Sequence, residues 1–207
     1  MTHRARYRPE ALLAKYRAIR EQITDQEFFR SPKHKKTQEM WCAAHFARAY
    51  DDYLDRCEIL IDDIDIQTEV DFDLDVNGVS HAFQVTEVME PGRRRGDEYR
   101  QGTPAVRADD WSRGTQLGPT WVRAAIEKKL QKQYAGAGQL NLLAYLNFGA
   151  WEQQYVDIRR ECADVSKHFA SVWLLNGNAM CCLQPHPCLK AFEGWMVIPE
   201  TLARVEP

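Results

Sequence analysis

The stretch VDFDLDVNGVSHAFQVTE, residues 70–87, has the pattern of a β-hairpin and decides how the chain can fold. Apolar and polar residues alternate on both sides of the dipeptide Asn-Gly at 77–78, which is a strong short-range signal for a two-residue type I′ turn. Counting outward from that turn places Asp71 opposite Gln84. The hairpin therefore predicts which side chains share a face.

Because side chains alternate along a strand, this pairing separates an apolar face from an acidic face. The apolar face must meet a core. It comprises Val70, Phe72, Leu74, His81, Phe83 and Val85, whereas the acidic face comprises Glu69, Asp71, Asp73 and Asp75 with Ala82, Gln84 and Thr86.

The acidic face predicts a cation site. Opposed residues of a hairpin have Cβ atoms about 4.5–5.5 Å apart. At an effective dielectric constant near 20, two carboxylates about 5 Å apart repel by roughly 3 kcal/mol, which raises one pKa or requires a cation. Oxygen donors suit Mg²⁺ or Mn²⁺, and the predicted ligands are Asp71, Gln84, Asp73 and Glu69. The alternative is a solvated face on which water screens the charge.

Helical and strand patterns on either side of the hairpin predict an α/β or α+β fold, with a mixed central sheet flanked by helices. The predicted helices begin at Pro9, span Thr37–Leu54, follow Pro119 and cover about 152–168. A buried strand is predicted in QLNLLAYLNF, residues 139–148, and a second Asn-Gly hairpin at 176–177. The segment 90–118 has no period, and its prolines, glycines and six arginines predict a long functional or disordered loop.

Charge is segregated along a chain whose net charge is only −3. Residues 1–36 hold ten Lys and Arg against four acids, and residues 51–75 hold eleven acids against one Arg. This predicts a cationic surface near an acidic pocket, or two solvated faces. With 207 residues and 44% hydrophobic content, we expect a single domain.

The chain lacks an apolar run of roughly 20 residues and a secretory pattern, so we expect a cytoplasmic protein without a membrane partner. Six scattered cysteines fit reduced thiols. The segment CCLQPHPC, residues 181–188, is the one cluster to weigh as a zinc site, but it lacks the usual spaced pairs.

The order of elements resembles the PD-(D/E)XK, or restriction-endonuclease-like, nuclease superfamily. A helix with an acid precedes V-D-F, a turn and an apolar strand ending in Q-V-T, and AIEKKLQKQY followed by LNLLAYLNF is similar to the second half of that fold. The run FQVTEVMEPGRRRGDEYR, with QEMWC upstream, resembles small bacterial proteins of unknown function that are classed as candidate endonucleases. The resemblance implies a nuclease-like core at 37–148, a basic helical extension at 1–36, and a C-terminal helix and hairpin at 149–207.

The resemblance also implies roles for four residues. Asp71 matches the motif aspartate, and Glu39 matches the helix glutamate. Gln84 stands where a second acid is expected and can still bind a metal through its carbonyl oxygen. Thr86 stands where a lysine is expected and carries no charge to stabilise the phosphorane. The cations that could replace this lysine are Arg93, Arg94, Arg95 and Lys129.

Metal-dependent hydrolysis of phosphodiester bonds is the function that the resemblance implies. Mg²⁺ or Mn²⁺ would polarise the phosphate and lower the pKa of water, and Glu39 would position or deprotonate that water. We expect nucleic acid as the partner, DNA before RNA, with a homodimer as one arrangement. The side chains predicted to contact phosphates are Arg93, Arg94, Arg95, Lys128, Lys129 and Lys132.

Two other functions stay open from the sequence. The fold could have kept its shape and lost its chemistry, leaving a module that binds nucleic acid or protein. Alternatively, the acidic segment 51–75 could meet a basic partner or imitate DNA. Salt-sensitive DNA binding without cleavage would favour the first function, and binding to basic proteins alone would favour the second.

Overall fold

The computed structural model describes residues 4–62, 69–93, 99, 108–132, 137–148, 154–177 and 179–197. Eight strands form one sheet in which neighbours in space follow chain order. The strands are β1 (Arg4–Tyr7), β2 (Cys57–Asp62), β3 (Phe72–Val76), β4 (Val79–Val88), β5 (Asn141–Leu146), β6 (Ser171–Asn176), β7 (Ala179–Gln184) and β8 (Trp195–Val197). The helices are α1 (Pro9–Arg20), α2 (Asp25–Arg30), α3 (Lys35–Tyr53), α4 (Ala108–Leu130) and α5 (Tyr155–Ser166).

The sheet is mixed. Strands β1 to β4 are antiparallel, β4, β5 and β6 are parallel, and β6 to β8 are antiparallel again. Helices cover both faces, so the predicted α+β class with a helix-flanked mixed sheet is confirmed. None of the described helices is long and apolar enough to cross a membrane.

The Asn-Gly turn forms as its chemistry requires. Asn77 has φ 53° and Gly78 has φ 83°, the two left-handed residues of a type I′ turn. The predicted register is confirmed from Val76 opposite Val79 to Phe72 opposite Phe83. Strand β3 begins only at Phe72, so the further predicted pairs, Asp71 with Gln84, Val70 with Val85 and Glu69 with Thr86, were wrong.

Two hydrophobic clusters lie on the two faces of the sheet. Helices α1 and α3 pack on the face that carries Phe72, Leu74 and Phe83, all fully buried. Helices α4 and α5 pack on the opposite face. Val70 packs with this second cluster and not with the cluster on the face of Phe72, as had been predicted. It precedes the start of β3, so the alternation of faces along the strand does not extend to it.

The row of aspartates is met by arginines of β1, a strand that the sequence did not predict. Arg4 forms ion pairs with Asp73 and with Asp62, the latter at 3.4 Å. Arg6, also on β1, forms an ion pair with Asp75 of β3 at 2.9 Å. The basic and acidic segments therefore neutralise each other in part within the chain.

Helix α4 shows that the predicted start after Pro119 was wrong. The helix begins at Ala108 and carries Pro119 in its interior, although an interior proline removes a hydrogen bond and costs about 3 kcal/mol. Packing outweighs this cost. Trp121, Val122 and Ile126 are buried, and a Cβ at Gly118 would lie 2.6 Å from the Phe148 ring. The glycine thus permits close packing instead of breaking the helix.

The remaining elements differ from the predictions mainly at their ends. Helix α3 begins at Lys35 rather than at residue 37. The second hairpin is present, but Asn176 pairs with Ala179, which moves its turn one residue later than predicted. Helix α2 and strand β8 are short and were not predicted.

Candidate active site

The candidate site lies just before the start of β3, beside β4. The backbone N–H of Asp71 donates to the Phe83 carbonyl oxygen at 2.9 Å. Its carboxylate Oδ2 accepts the backbone N–H of Val85 at 2.7 Å. The carboxylate thus accepts the hydrogen bond that a backbone carbonyl would accept if the pairing of β3 with β4 continued. Asp71 is only 7% exposed. Asp71 therefore stands between the helices of the two faces.

Helix α4 brings an ammonium group to this point. Lys129 Nζ donates to Gln84 Oε1 at 2.8 Å, and Gln84 Nε2 donates to the Glu69 carbonyl oxygen, which fixes the amide. Burial lowers the pKa of Lys129 to about 8, against the opposing effect of the Asp71 carboxylate. The Lys129 side chain is therefore mostly charged at neutral pH, and it loses its charge as the pH rises through about 8.

Helix α3 supplies a carboxylate and two further lysines. Glu39 lies 3.2 Å from Lys35 and 3.3 Å from Lys36, and Lys36 Nζ donates to the Asp71 carbonyl oxygen at 2.8 Å. Burial raises the pKa of Glu39, and the nearby Asp71 carboxylate raises it further, whereas the two lysines lower it. Asp71 is thus flanked by Glu39 and two lysines from α3, and by Lys129 with its amide partner Gln84 on the side of α4.

Sequence reasoning missed Lys35 and Lys36 as site residues. They stand four and three residues before Glu39, the spacing at which side chains meet on a helix. The run KKTQE carried this signal. The predicted boundary after residue 36 assigned both lysines to the N-terminal extension.

Other predicted site residues are placed differently. The Asp73 carboxylate is engaged by Arg4, and burial raises its pKa although Arg4 lowers it. The Glu69 side chain is exposed, and only its carbonyl oxygen contacts Gln84. Thr86 is half-buried and follows Gln84 on the same face of β4.

The predicted phosphate-contacting residues are spread around the site. Arg93 donates to the Asn147 carbonyl oxygen at 3.0 Å. Lys128 and Lys132 are exposed at the end of α4 and just beyond it, on either side of Lys129. The predicted Arg94 and Arg95 lie outside the described residues.

The donor set can be tested for its fit to a metal. Among the described residues, no group of three or more His, Cys, Asp or Glu side chains could hold a metal ion. Asp71 and the Gln84 carbonyl nevertheless offer oxygen donors of the kind that Mg²⁺ and Mn²⁺ prefer. By donor chemistry these two residues fit such an ion.

The segment CCLQPHPC does not gather its cysteines. Cys181 and Cys182 pack in the clusters on opposite faces of the sheet, as alternation along β7 requires. The backbone N–H of Cys188 donates to His186 Nδ1 at 2.9 Å. The six cysteines are all free.

These features define an α+β protein with a buried carboxylate, amide and lysine cluster at the end of a short strand. The chain belongs to the family described as "Putative endonuclease, protein of unknown function (DUF1780)", whose model matches residues 14–188. This range includes all the residues of the cluster. No curated protein and no solved structure matches the chain. The family description agrees with a nuclease at a coarse level, and membership of the PD-(D/E)XK superfamily stays a prediction.

Proposed function

We propose that this protein is a metal-dependent nuclease that hydrolyses phosphodiester bonds of nucleic acid at Asp71. The contact between Lys129 Nζ and Gln84 Oε1, at 2.8 Å, carries the proposal. It puts a positive charge beside Asp71, on the face of β4 where Thr86 has none. A lysine from α4 would thus do the work that the PD-(D/E)XK motif assigns to a lysine on the strand.

Each side chain of the cluster has a role in this proposal. Glu39 accepts a proton from the attacking water as the new P–O bond forms and the bond to the leaving sugar oxygen breaks, and that oxygen takes up a proton from solvent water. Lys129 and Lys36 stabilise the negative charge that develops on the phosphorane oxygens. Asp71 and the Gln84 carbonyl oxygen would hold Mg²⁺ or Mn²⁺, which would supply Lewis-acid polarisation of the phosphate when bound.

Burial of Glu39 supports its role as a base. A carboxylate with a pKa raised toward the working pH accepts a proton more readily than an ordinary one. Both causes of the raised pKa, burial and the Asp71 carboxylate, come from the site itself. Lys128 and Lys132, exposed beside it, would contact neighbouring phosphates, and such contacts weaken with salt.

A binding module without catalysis is the second candidate, and one observation favours it. Several of the proposed ligand and base atoms already have a partner: Asp71 Oδ2 accepts from Val85, Gln84 Oε1 accepts from Lys129, and Glu39 has two lysines. A cluster neutralised in this way could hold the fold together and bind phosphates without cutting them.

A cleavage assay with matched variants separates the two candidates. Wild type, Asp71→Asn and Asp75→Asn would be incubated with single- and double-stranded DNA and RNA, in Mg²⁺, Mn²⁺ or EDTA. Asp75 is the control because it lies within β3, close to Asp71 in sequence, and pairs with Arg6. We expect cleavage that needs the metal, survives Asp75→Asn and is lost in Asp71→Asn. Salt-sensitive binding with no cleavage under any condition would instead establish the binding module.

A further inference from the structure

A cavity of about 470 Å³ adjoins Glu39 on the face of the sheet that α3 covers. Its volume lies in the range of small-molecule sites. Its walls combine aromatic rings with charged side chains, and the rings come from five separate parts of the chain. The rings that the argument uses are Tyr16, Phe29, Trp41, Tyr99 and Tyr145.

The aromatic walls are held by contacts between the rings. Phe29 stacks on Tyr99 with centroids 4.4 Å apart and an interplanar angle of 25°. Trp41 meets Tyr145 edge to face with centroids 5.0 Å apart. Since such pairs fix ring orientation, the cavity offers preformed flat surfaces to a ligand.

Charged groups link this cavity to the candidate site. Glu39 and Lys35 line the cavity and also form the ion pair of the site. Arg17 and Arg20 of α1 line it as well, and the Arg20 guanidinium lies 4.3 Å from the centroid of the Phe28 ring. Glu21, Asp25 and Glu87 line the cavity too, and Arg20 already pairs with Asp25. The cavity therefore suits an uncharged flat ring whose attached anionic group stays at the Lys35 end, toward the candidate site.

We propose that the cavity holds an unpaired nucleobase of the substrate strand, next to the phosphate that is cut at Asp71. The inference rests on the proposed function and names its substrate class, single-stranded or locally opened nucleic acid. A base within a duplex is covered on both sides and cannot enter an aromatic cavity, whereas an unpaired base can stack there. Because every base has a π-face, this binding tolerates any sequence.

Binding in EDTA tests the cavity without cleavage. Fluorescence anisotropy would compare a labelled ~12-nucleotide oligothymidine with an abasic strand of the same length and charge. We expect wild type to bind the strand with bases about 5- to 150-fold more tightly, the range that one stacked base supplies. Phe29→Ala should remove most of this preference, and Phe29→Tyr, which keeps the ring, should retain it.

Two further variants keep the result interpretable. Tyr53→Ala removes an exposed ring outside the cavity and should keep the preference for bases. If Phe29→Ala fails to fold, as judged by circular dichroism, Tyr145→Leu tests another lining ring and should lose the preference.

The outcomes for the cavity and for the nuclease are distinct. Equal wild-type affinities for the two strands, together with cleavage that needs Asp71, would overturn the cavity and leave the proposed function standing. A base preference that needs Phe29, with no cleavage of any nucleic acid, would support the cavity and overturn the nuclease.

Discussion

Replacing Lys129 with methionine should slow cleavage strongly without destabilising the protein. Methionine keeps the approximate length of the side chain and removes its charge. The fall in the Lys129 pKa from 10.5 to about 8 means that folding disfavours the ammonium form by roughly 3 kcal/mol. Loss of the bond to Gln84 leaves its carbonyl oxygen unpaired, at about 1–3 kcal/mol. We therefore expect Lys129→Met to be between unchanged and about 2 kcal/mol more stable at pH 7.

The pH dependence of this difference has a definite sign. Below pH 8 the lysine is protonated in both states, so the folded protein carries the full penalty. Between about pH 8 and 10.5 the unfolded state binds more protons than the folded state, and the wild type gains stability relative to Lys129→Met as pH rises. Urea denaturation at several pH values measures this difference.

Two controls accompany the measurement. Lys128→Met changes the preceding, exposed lysine and should alter the free energy of unfolding by less than about 0.5 kcal/mol. Cleavage by Lys129→Met should fall by about 10²–10³-fold, as for loss of one group that stabilises the transition state. A variant destabilised by more than about 2 kcal/mol at pH 7, or a difference that does not change up to pH 10.5, would refute the reasoning and make Lys129 a structural residue.

Three further predictions concern the site and the fold. The pH profile of kcat/KM should be bell-shaped, rising as Glu39 loses its proton at a raised pKa and falling above about pH 8 as Lys129 loses its own; a profile flat from pH 5 to about 9 would contradict both roles. Arg4→Ala should destabilise by about 3 kcal/mol, because it strands two poorly exposed acids, and thermal unfolding should show a smaller loss at pH 5 than at pH 7, because burial raises the pKa of Asp73 and Arg4 no longer lowers it. Gly118→Ala should cost about 1–3 kcal/mol through the clash with Phe148, and urea denaturation should show that the added variant Phe148→Leu recovers part of it.

Local chemistry made part of this structure predictable. The Asn-Gly turn has few backbone solutions, so the sequence alone predicted the register from Phe72 to Val76. The end of the ladder was not predictable in the same way. It depends on the Asp71 side chain replacing a backbone partner of Val85, a choice that alternation of polar and apolar residues does not encode.

Long-range partners explain most of the remaining differences. The aspartate row predicted a cation, but an arginine 69 residues away fills that need at Asp73. Lys129 was among the predicted replacements for the missing lysine, yet its contact with Gln84 crosses 45 residues of sequence. Helix α4 runs through Pro119 because tertiary packing outweighs a local breaker. In each case the deciding energy comes from residues that no short window contains.

Strand β3 begins one residue after Asp71, and this lets the Asp71 carboxylate face both sides of the sheet. Had the ladder continued, Asp71 would share one face with Gln84, and the sheet would separate it from Glu39. Because β3 begins only at Phe72, the Asp71 carboxylate stays level with the strands. It is open to α3 on one side and to α4 on the other. Asparagine at this position can still accept the Val85 N–H but carries no charge. Loss of cleavage in a stable Asp71→Asn protein would therefore report on the charge, whereas loss of folding would assign Asp71 to the strand end alone.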